Sequence, residues 1–247
     1  MSASPEPSST TIAVIGAGRL GGVLATALRR AGSLVHGPLG RDDSIPAADI
    51  ALLCVPDAVI PTAAHAARPH ATLLGHVSGA TPLDGVDFSI HPLQTFTGTE
   101  GPEAFHGIGA AIAGRTPTAL AVAERVARAL GARPFVIEDV NRAGYHAAAS
   151  LASNLVLAVL DAAEQVALAA GIRDPRDLLA PLVARTVHNW PGSGAAAALA
   201  GPIARGDEGT VRRQRVAVAT GTPDLLPLFD QLCESARALA SASKVSA

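Results

Sequence analysis

The chain has 247 residues, 16% of them charged, and a net charge of −2, so it has no basic surplus for nucleic acid or an anionic membrane surface. Hydrophobic residues make up 49%, enough to build a sizeable core in one large domain or two small ones. The two cysteines, Cys54 and Cys233, match no metal or redox spacing and read as buried free thiols of a reducing compartment.

Residues 1–10 are rich in Ser and Pro and lack an apolar core, which predicts a disordered leader rather than a signal peptide. Ile12 to Ile15 then form a short apolar strand. Gly16, Gly18 and Gly21 follow in GxGxxG spacing, and Leu20, Val23, Leu24, Ala27 and Leu28 carry a helical pattern to Gly32. This is strand–turn–helix context for a dinucleotide. One glycine permits the tight turn, the next lets backbone N–H groups approach a pyrophosphate, and the third lets helix and strand pack closely. The helix start adds free N–H donors and a partial positive charge. Gly16, Ala17, Gly18, Arg19, Leu20 and Gly21 are therefore the expected cofactor cradle.

Leu34 to His36 reads as the second strand. NAD enzymes usually end this strand in an acid that binds the ribose hydroxyls. Here that place holds His36 and Gly37, with Arg41 and Ser44 beyond. Arg41 suits a 2′-phosphate, which favours NADP, while Asp42 and Asp43 keep NAD possible. Asp49 to Val55 is a continuous apolar run, as a strand buried on both faces requires. Pro56-Asp57 ends it, Ala58 to Ala67 is helical, and Thr72 to Val77 is the next strand, ending in Ser78-Gly79. Val55, Pro56 and Ser78 are expected to line the groove for ribose and nicotinamide.

Phe88 to Phe96 reads FSIHPLQTF, with His91 held extended by Pro92. Gly107 to Ala113 is a strand, Pro117 to Leu130 a helix and Arg133 to Ile137 a last strand. This alternation implies a Rossmann domain over 11–138, α/β with a doubly wound parallel sheet.

From Asp139 the pattern turns helical. Asn141 to Ala170 reads as one helix, ended by Gly171, with His146, Ser150, Ser153, Asn154 and Asp161 on one side. The stretch 143–160 reads as too polar for a membrane span. Helices are expected over 175–189, 194–200, 208–219 with Asp207 as N-cap, and 223–240. The region 139–247 is thus an all-helical second domain, and Trp190 reads as packing. Lysine occurs once, at Lys244, so a lysine acid within the folded body is excluded.

GAGRLG, VPD, HPLQTF and GPIARGD, the last on a helical second half, together resemble a family of Rossmann-like oxidoreductases with a C-terminal helical domain of unknown function. That family is similar to ketopantoate reductase, pyrroline carboxylate reductase, deazaflavin-dependent NADP reductase and the wider 6-phosphogluconate dehydrogenase-like group. His91-Pro92 also resembles the His-Pro element of prephenate dehydrogenases, near the nicotinamide. The resemblance implies a homodimer joined through its C-terminal helices, with a small-molecule substrate between the domains; the composition, with no signal peptide or span read in it, points to a cytoplasmic protein without nucleic-acid or membrane partners. One departure is large: ketopantoate reductases use a lysine as acid/base on the interdomain helix, and none stands here.

Hydride transfer to a carbonyl or imine needs a positioned ring, a proton donor and a group that orients the substrate. His91 is the first candidate donor, since imidazole titrates near neutrality. His146 and Asn154 are further catalytic candidates, with Tyr145 a second choice beside His146. Gln94, Ser150 and Arg205 are candidates for binding substrate, Arg205 because guanidinium grips a carboxylate in bidentate fashion. His76 reads as a core histidine. A cofactor-binding dimer without catalysis is the competing reading.

Overall fold

A computed structural model describes residues 10–245; the leader read over residues 1–10 falls, but for Thr10, outside them. Seven strands form one sheet in the order β2-β1-β3-β4-β5-β6-β7. They are β1 (Thr11–Ile15), β2 (Leu34–Leu39), β3 (Ala48–Leu53), β4 (Ala71–His76), β5 (Phe88–Pro92), β6 (Gly109–Gly114) and β7 (Arg133–Val136). Helices α1 (Arg19–Arg30), α2 (Ile60–Ala67) and α3 (Pro117–Ala129) cover it.

Side chains alternate across a strand, and β1 shows the consequence. Ile12 and Val14 join the core under α1 and α3, with Val23, Leu24, Leu28, Val122 and Val126. Ala13 and Ile15 join the opposite core with Ile60, Ala64 and Ala67 of α2. Both faces are buried, which is why β1 and β3 read as unbroken apolar runs.

One expectation is corrected here. The sheet is parallel from β2 through β5, but β6 runs antiparallel to β5, pairing Phe88 with Gly114 and Ile90 with Ile112. A parallel return is usually carried by a helix across one face. The link from β5 to β6 contains only a short 3-10 turn, Pro102–Phe105, so the chain turns back beside β5. β7 then follows α3 and lies parallel to β6.

The long helix read over 141–170 is two. Helix α4 (Arg142–Ala152) ends at Ser153, whose φ of −133° and ψ of −80° are not helical, and α5 (Asn154–Ala169) starts afresh. The polar stripe is therefore not one continuous row. By length and mean hydropathy of 1.4, the stretch 139–169 does qualify as long and apolar enough to cross a membrane, contrary to the reading of 143–160. The break leaves helices of 11 and 16 residues, each short of the roughly 20 a single span needs.

The chain divides into two compact units, 1–153 and 154–247, against a boundary at 138/139 expected from the sequence. The second unit contains α5, α6 (Pro175–Ala198), α7 (Pro202–Arg205), α8 (Glu208–Gly221) and α9 (Leu226–Val245). Gly194, at φ 73°, breaks α6 at the place the two-helix reading expected. Asp207 caps α8 by accepting from Thr210 N at 3.0 Å. Arg215–Asp230 and Arg237–Glu208 join α8 to α9 as solvent-exposed pairs, which contribute little to stability. Trp190 is 57% exposed in the single chain.

Gly75 stands opposite Phe88 across β4 and β5, and a Cβ there would run into the ring, which has no exposed surface to retreat to. Gly75→Ala is therefore expected to lower the free energy of unfolding by about 1–3 kcal/mol. The check is a lower urea midpoint at unchanged slope; an unchanged midpoint would mean the ring has room to move.

Candidate functional site

The carboxyl ends of β1, β3, β4 and β5 carry the glycine turn, Val55 and Pro56, Ser78 and His91. In open α/β sheets ligands bind outside these ends. Gly16, at φ 118°, donates its N–H to Leu39 O at 2.8 Å, and an added Cβ would collide with the Cys54 carbonyl. At Gly21 a Cβ would strike the Gly16 carbonyl. These two glycines close the turn. Gly18 differs: it is the N-cap of α1, has no side-chain cap, and nothing lies within 4 Å of where its Cβ would stand. The first turn of α1 holds no acidic residue. The α1 start thus offers bare N–H donors over open space, which fits a pyrophosphate. Ala17, Arg19 and Leu20 complete this turn.

Arg41 is exposed after β2, in a loop pinned by Gly40 N donating to Asp43 Oδ2 at 2.7 Å. Val55 and Pro56 follow β3. Ser78, after β4, uses its hydroxyl within its own turn. It accepts from Ala80 N and Thr81 N and donates to Thr81 Oγ1 at 3.0 Å. Its backbone N–H donates to His76 Nδ1, so only the Ser78 carbonyl is left for a ligand. Cys54 is half-buried rather than buried, and burial pushes its thiol up to about 12, so no reactive thiolate forms there. Cys233 is buried as expected.

His91, on β5, meets α4. Its Nδ1 lies 2.5 Å from the Tyr145 hydroxyl, and its ring stands edge-on to Tyr145 and to His146, centroids 5.5 and 6.1 Å away. Both histidine rings rest on Gly79, where a Cβ would come within 2.9–3.0 Å of each. Burial drives the His91 pKa down to about 4, with His146 pushing the same way; the nearby Asp57 opposes the shift and Arg142 adds to it. His91 is thus neutral at physiological pH. Burial likewise raises the Tyr145 phenol to about 12, against the pull of Arg142.

His76 is fully buried, as its core reading expected. Its Nε2 lies 3.1 Å from Pro82 O, and its Nδ1 accepts from Ser78 N at 3.2 Å. A carbonyl only accepts, so Nε2 carries the proton and the ring is neutral. Gln94 is exposed and accepts from Thr95 N at 2.9 Å. Ser150, on α4, is half-buried. Asn154 and Arg205 belong to the second unit; both are exposed.

Three features escaped the sequence reading. Arg142 is 2% exposed, and it donates to Asp139 Oδ1 at 2.5 Å and to Ser89 Oγ at 2.6 Å. Its buried charge acts on both His91 and His76, and no periodicity marks an arginine as buried. The His91–Tyr145 bond joins residues 54 apart. The loop after HPLQTF is knotted by Glu100, which accepts from Thr97 N, Thr97 Oγ1 and Gly98 N, bonds that hold its carboxyl at about 2. Gly98 then rests on Arg19, a Cβ there lying 3.3 Å from Arg19 Cα.

Residues 108–236, just over half of the chain, match the family described as Domain of unknown function (DUF2520). This chain is a DUF2520 protein. No curated protein matches it. Among solved structures, the DUF2520 protein is similar to a candidate NADP oxidoreductase of Bacteroides fragilis, at 22% identity and TM-score 0.77, covering 93% of this chain and 98% of that one. It is similar to a Thermotoga maritima protein at 21% identity and TM-score 0.76, covering 95% and 99%. It also resembles the NADP-bound pyrroline carboxylate reductase of Plasmodium falciparum at 12% identity and TM-score 0.58, covering 94% and 98%. These likenesses establish the Rossmann-like fold followed by a helical region.

His91 titrates at about 4 in the folded protein against an ordinary 6.5. As pH falls the unfolded chain takes the proton first. The stability contributed by neutral His91 is therefore fully present above pH 6.5 and is lost as pH falls towards about 4. His91→Asn should flatten the rise of unfolding free energy with pH across that window, by on the order of 3 kcal/mol in total. Urea midpoints at about pH 4.5 and pH 7 test this; a wild-type slope in the variant would show that His91 titrates normally.

Proposed function

We propose that the DUF2520 protein is an NADP-dependent oxidoreductase that reduces a small 2-keto acid, ketopantoate-like, or a cyclic imine. The observation that carries the reading is one sheet edge bearing both an uncapped helix start over open space and a neutral histidine held by a tyrosine. The backbone from Gly16 to Gly21 would hold the pyrophosphate and Arg41 the 2′-phosphate, with Val55, Pro56 and the Ser78 backbone beside the ribose and nicotinamide. Reduced nicotinamide supplies hydride when bound. His91 serves the proton at the substrate oxygen or nitrogen. From the sequence, His146, Asn154, Gln94, Ser150 and Arg205 are proposed to assist or to bind substrate. The similar structures described as NADP oxidoreductases, or bound to NADP, support this choice of cofactor.

We further propose a cytoplasmic homodimer through the helical unit. That unit buries few large side chains, and an apolar groove of about 620 Å³ between α5 and α6 is lined by Leu157, Leu160, Leu179, Leu182 and Val183. Leu155, Leu168, Leu178 and Leu182 are exposed in the single chain, apolar side chains of the kind a partner subunit would cover. The competing reading, an NADP(H)-binding dimer without catalysis, has one observation in its favour: the absence of any lysine before residue 244.

Calorimetry should show NADPH binding, and Arg41→Ala should weaken NADPH about tenfold, roughly 1.4 kcal/mol, while leaving NADH unchanged. Failure of both nucleotides to bind at millimolar concentration would sink the proposal. Over a panel of keto acids and cyclic imines, steady NADPH oxidation supports the reductase; binding without turnover, unchanged in His91→Ala, supports the sensor. Sedimentation equilibrium without detergent should give a dimer, and a stable monomer at tens of micromolar would overturn that part.

A further inference from the structure

The bond between His91 Nδ1 and the Tyr145 hydroxyl, 2.5 Å long, decides where the protons of this site sit. A phenol is a far stronger acid than a neutral imidazole N–H, and an imidazole nitrogen is a far better acceptor than a phenol oxygen. The bond therefore runs from Tyr145 O–H to His91 Nδ1. With Nδ1 occupied as acceptor, the ring's own proton stands on Nε2.

A neutral histidine by itself is a poor acid, because losing its Nε2 proton would leave an imidazolate. His91 is kept from the imidazolium form by burial, by His146 on α4 and by Arg142 and His76. Asp57, beyond β3, is the acidic group that works against this. The proton must then come from behind the ring.

We propose that Tyr145 is the positioning residue and proton reserve of this site, fixing His91 as the Nε2–H tautomer and feeding its proton through that ring to the substrate. The relay rests on the reductase reading above; the tautomer does not. As a substrate carbonyl carbon gains hydride from reduced nicotinamide dinucleotide, its oxygen becomes an alkoxide. The His91 Nε2–H bond breaks as the product O–H bond forms. The Tyr145 O–H bond breaks as the His91 Nδ1–H bond forms. His91 ends neutral in its other tautomer and Tyr145 ends as phenolate, to be reprotonated from water. The substrate is reduced by two electrons and the dinucleotide oxidised by two. Proton flow is downhill, since an alcohol is a far weaker acid than a phenol. The buried Arg142 charge, which pulls the Tyr145 pKa down, stabilises the phenolate. A fixed guanidinium thereby takes over the electrostatic part of the missing lysine's work.

Tyr145 is the only tyrosine in the chain, so any tyrosine label reports it alone. The first arm needs no cofactor: ¹⁵N NMR of imidazole-labelled protein should show His91 as the Nε2–H tautomer. Tyr145→Phe should convert it to a mixture while leaving His76 unchanged. A wild-type His91 carrying its proton on Nδ1 overturns the whole proposal. The second arm measures turnover. Tyr145→Phe should lower kcat about 100-fold with KM for NADPH unchanged, and biosynthetic fluorotyrosine, a more acidic phenol, should move the basic limb of the kcat–pH profile to lower pH. Full kcat in Tyr145→Phe, or a basic limb indifferent to fluorination, overturns the relay. If wild-type protein with the expected NMR spectrum turns over nothing, the reductase reading and the relay fall together and the tautomer stands.

Discussion

A guanidinium shut away from water holds this site together. Arg142 is tied to Asp139 on the chain just before α4 and to Ser89 on β5, and Asp139 accepts in turn from Leu83 N at 3.1 Å. A buried charge stripped of partners costs several kcal/mol, so α4 cannot lift from the sheet without leaving this cation unpaired. Tyr145 and His146 lie on the first turn beyond it, and Ser89 is two residues before His91. The anchor therefore sets the spacing between the tyrosine and the histidine it serves.

Around that anchor lie ionisable groups that the fold keeps uncharged. His76 and His91 are driven towards the neutral form and Tyr145 away from the phenolate, each mainly by burial. Among the described residues the one buried arginine is Arg142. Such a site is unsuited to holding a free imidazolium.

The first strand, the glycine turn and α1 were legible because local signals agree: Ile12 and Val14 alternate with Ala13 and Ile15, and the glycine spacing carries a steric reason at Gly16 and Gly21. The direction of β6 was not legible, because parallel and antiparallel neighbours share the same apolar pattern and only the absence of a crossover helix separates them. The end of α4 at Ser153 has no glycine or proline to mark it. His91 could be singled out by its chemistry, but its partner lies far along the chain, and pairing of that kind is set by tertiary packing. The burial of Arg142 runs against its usual surface preference, so composition argued the other way.

The loop knotted by Glu100 has a mechanical consequence. It leaves β5 a few residues after His91 and comes to rest, at Gly98, against the backbone of Arg19. The opening turn of α1 and the strand that bears the imidazole are thus tied by one short, internally bonded loop, which fixes the distance between them.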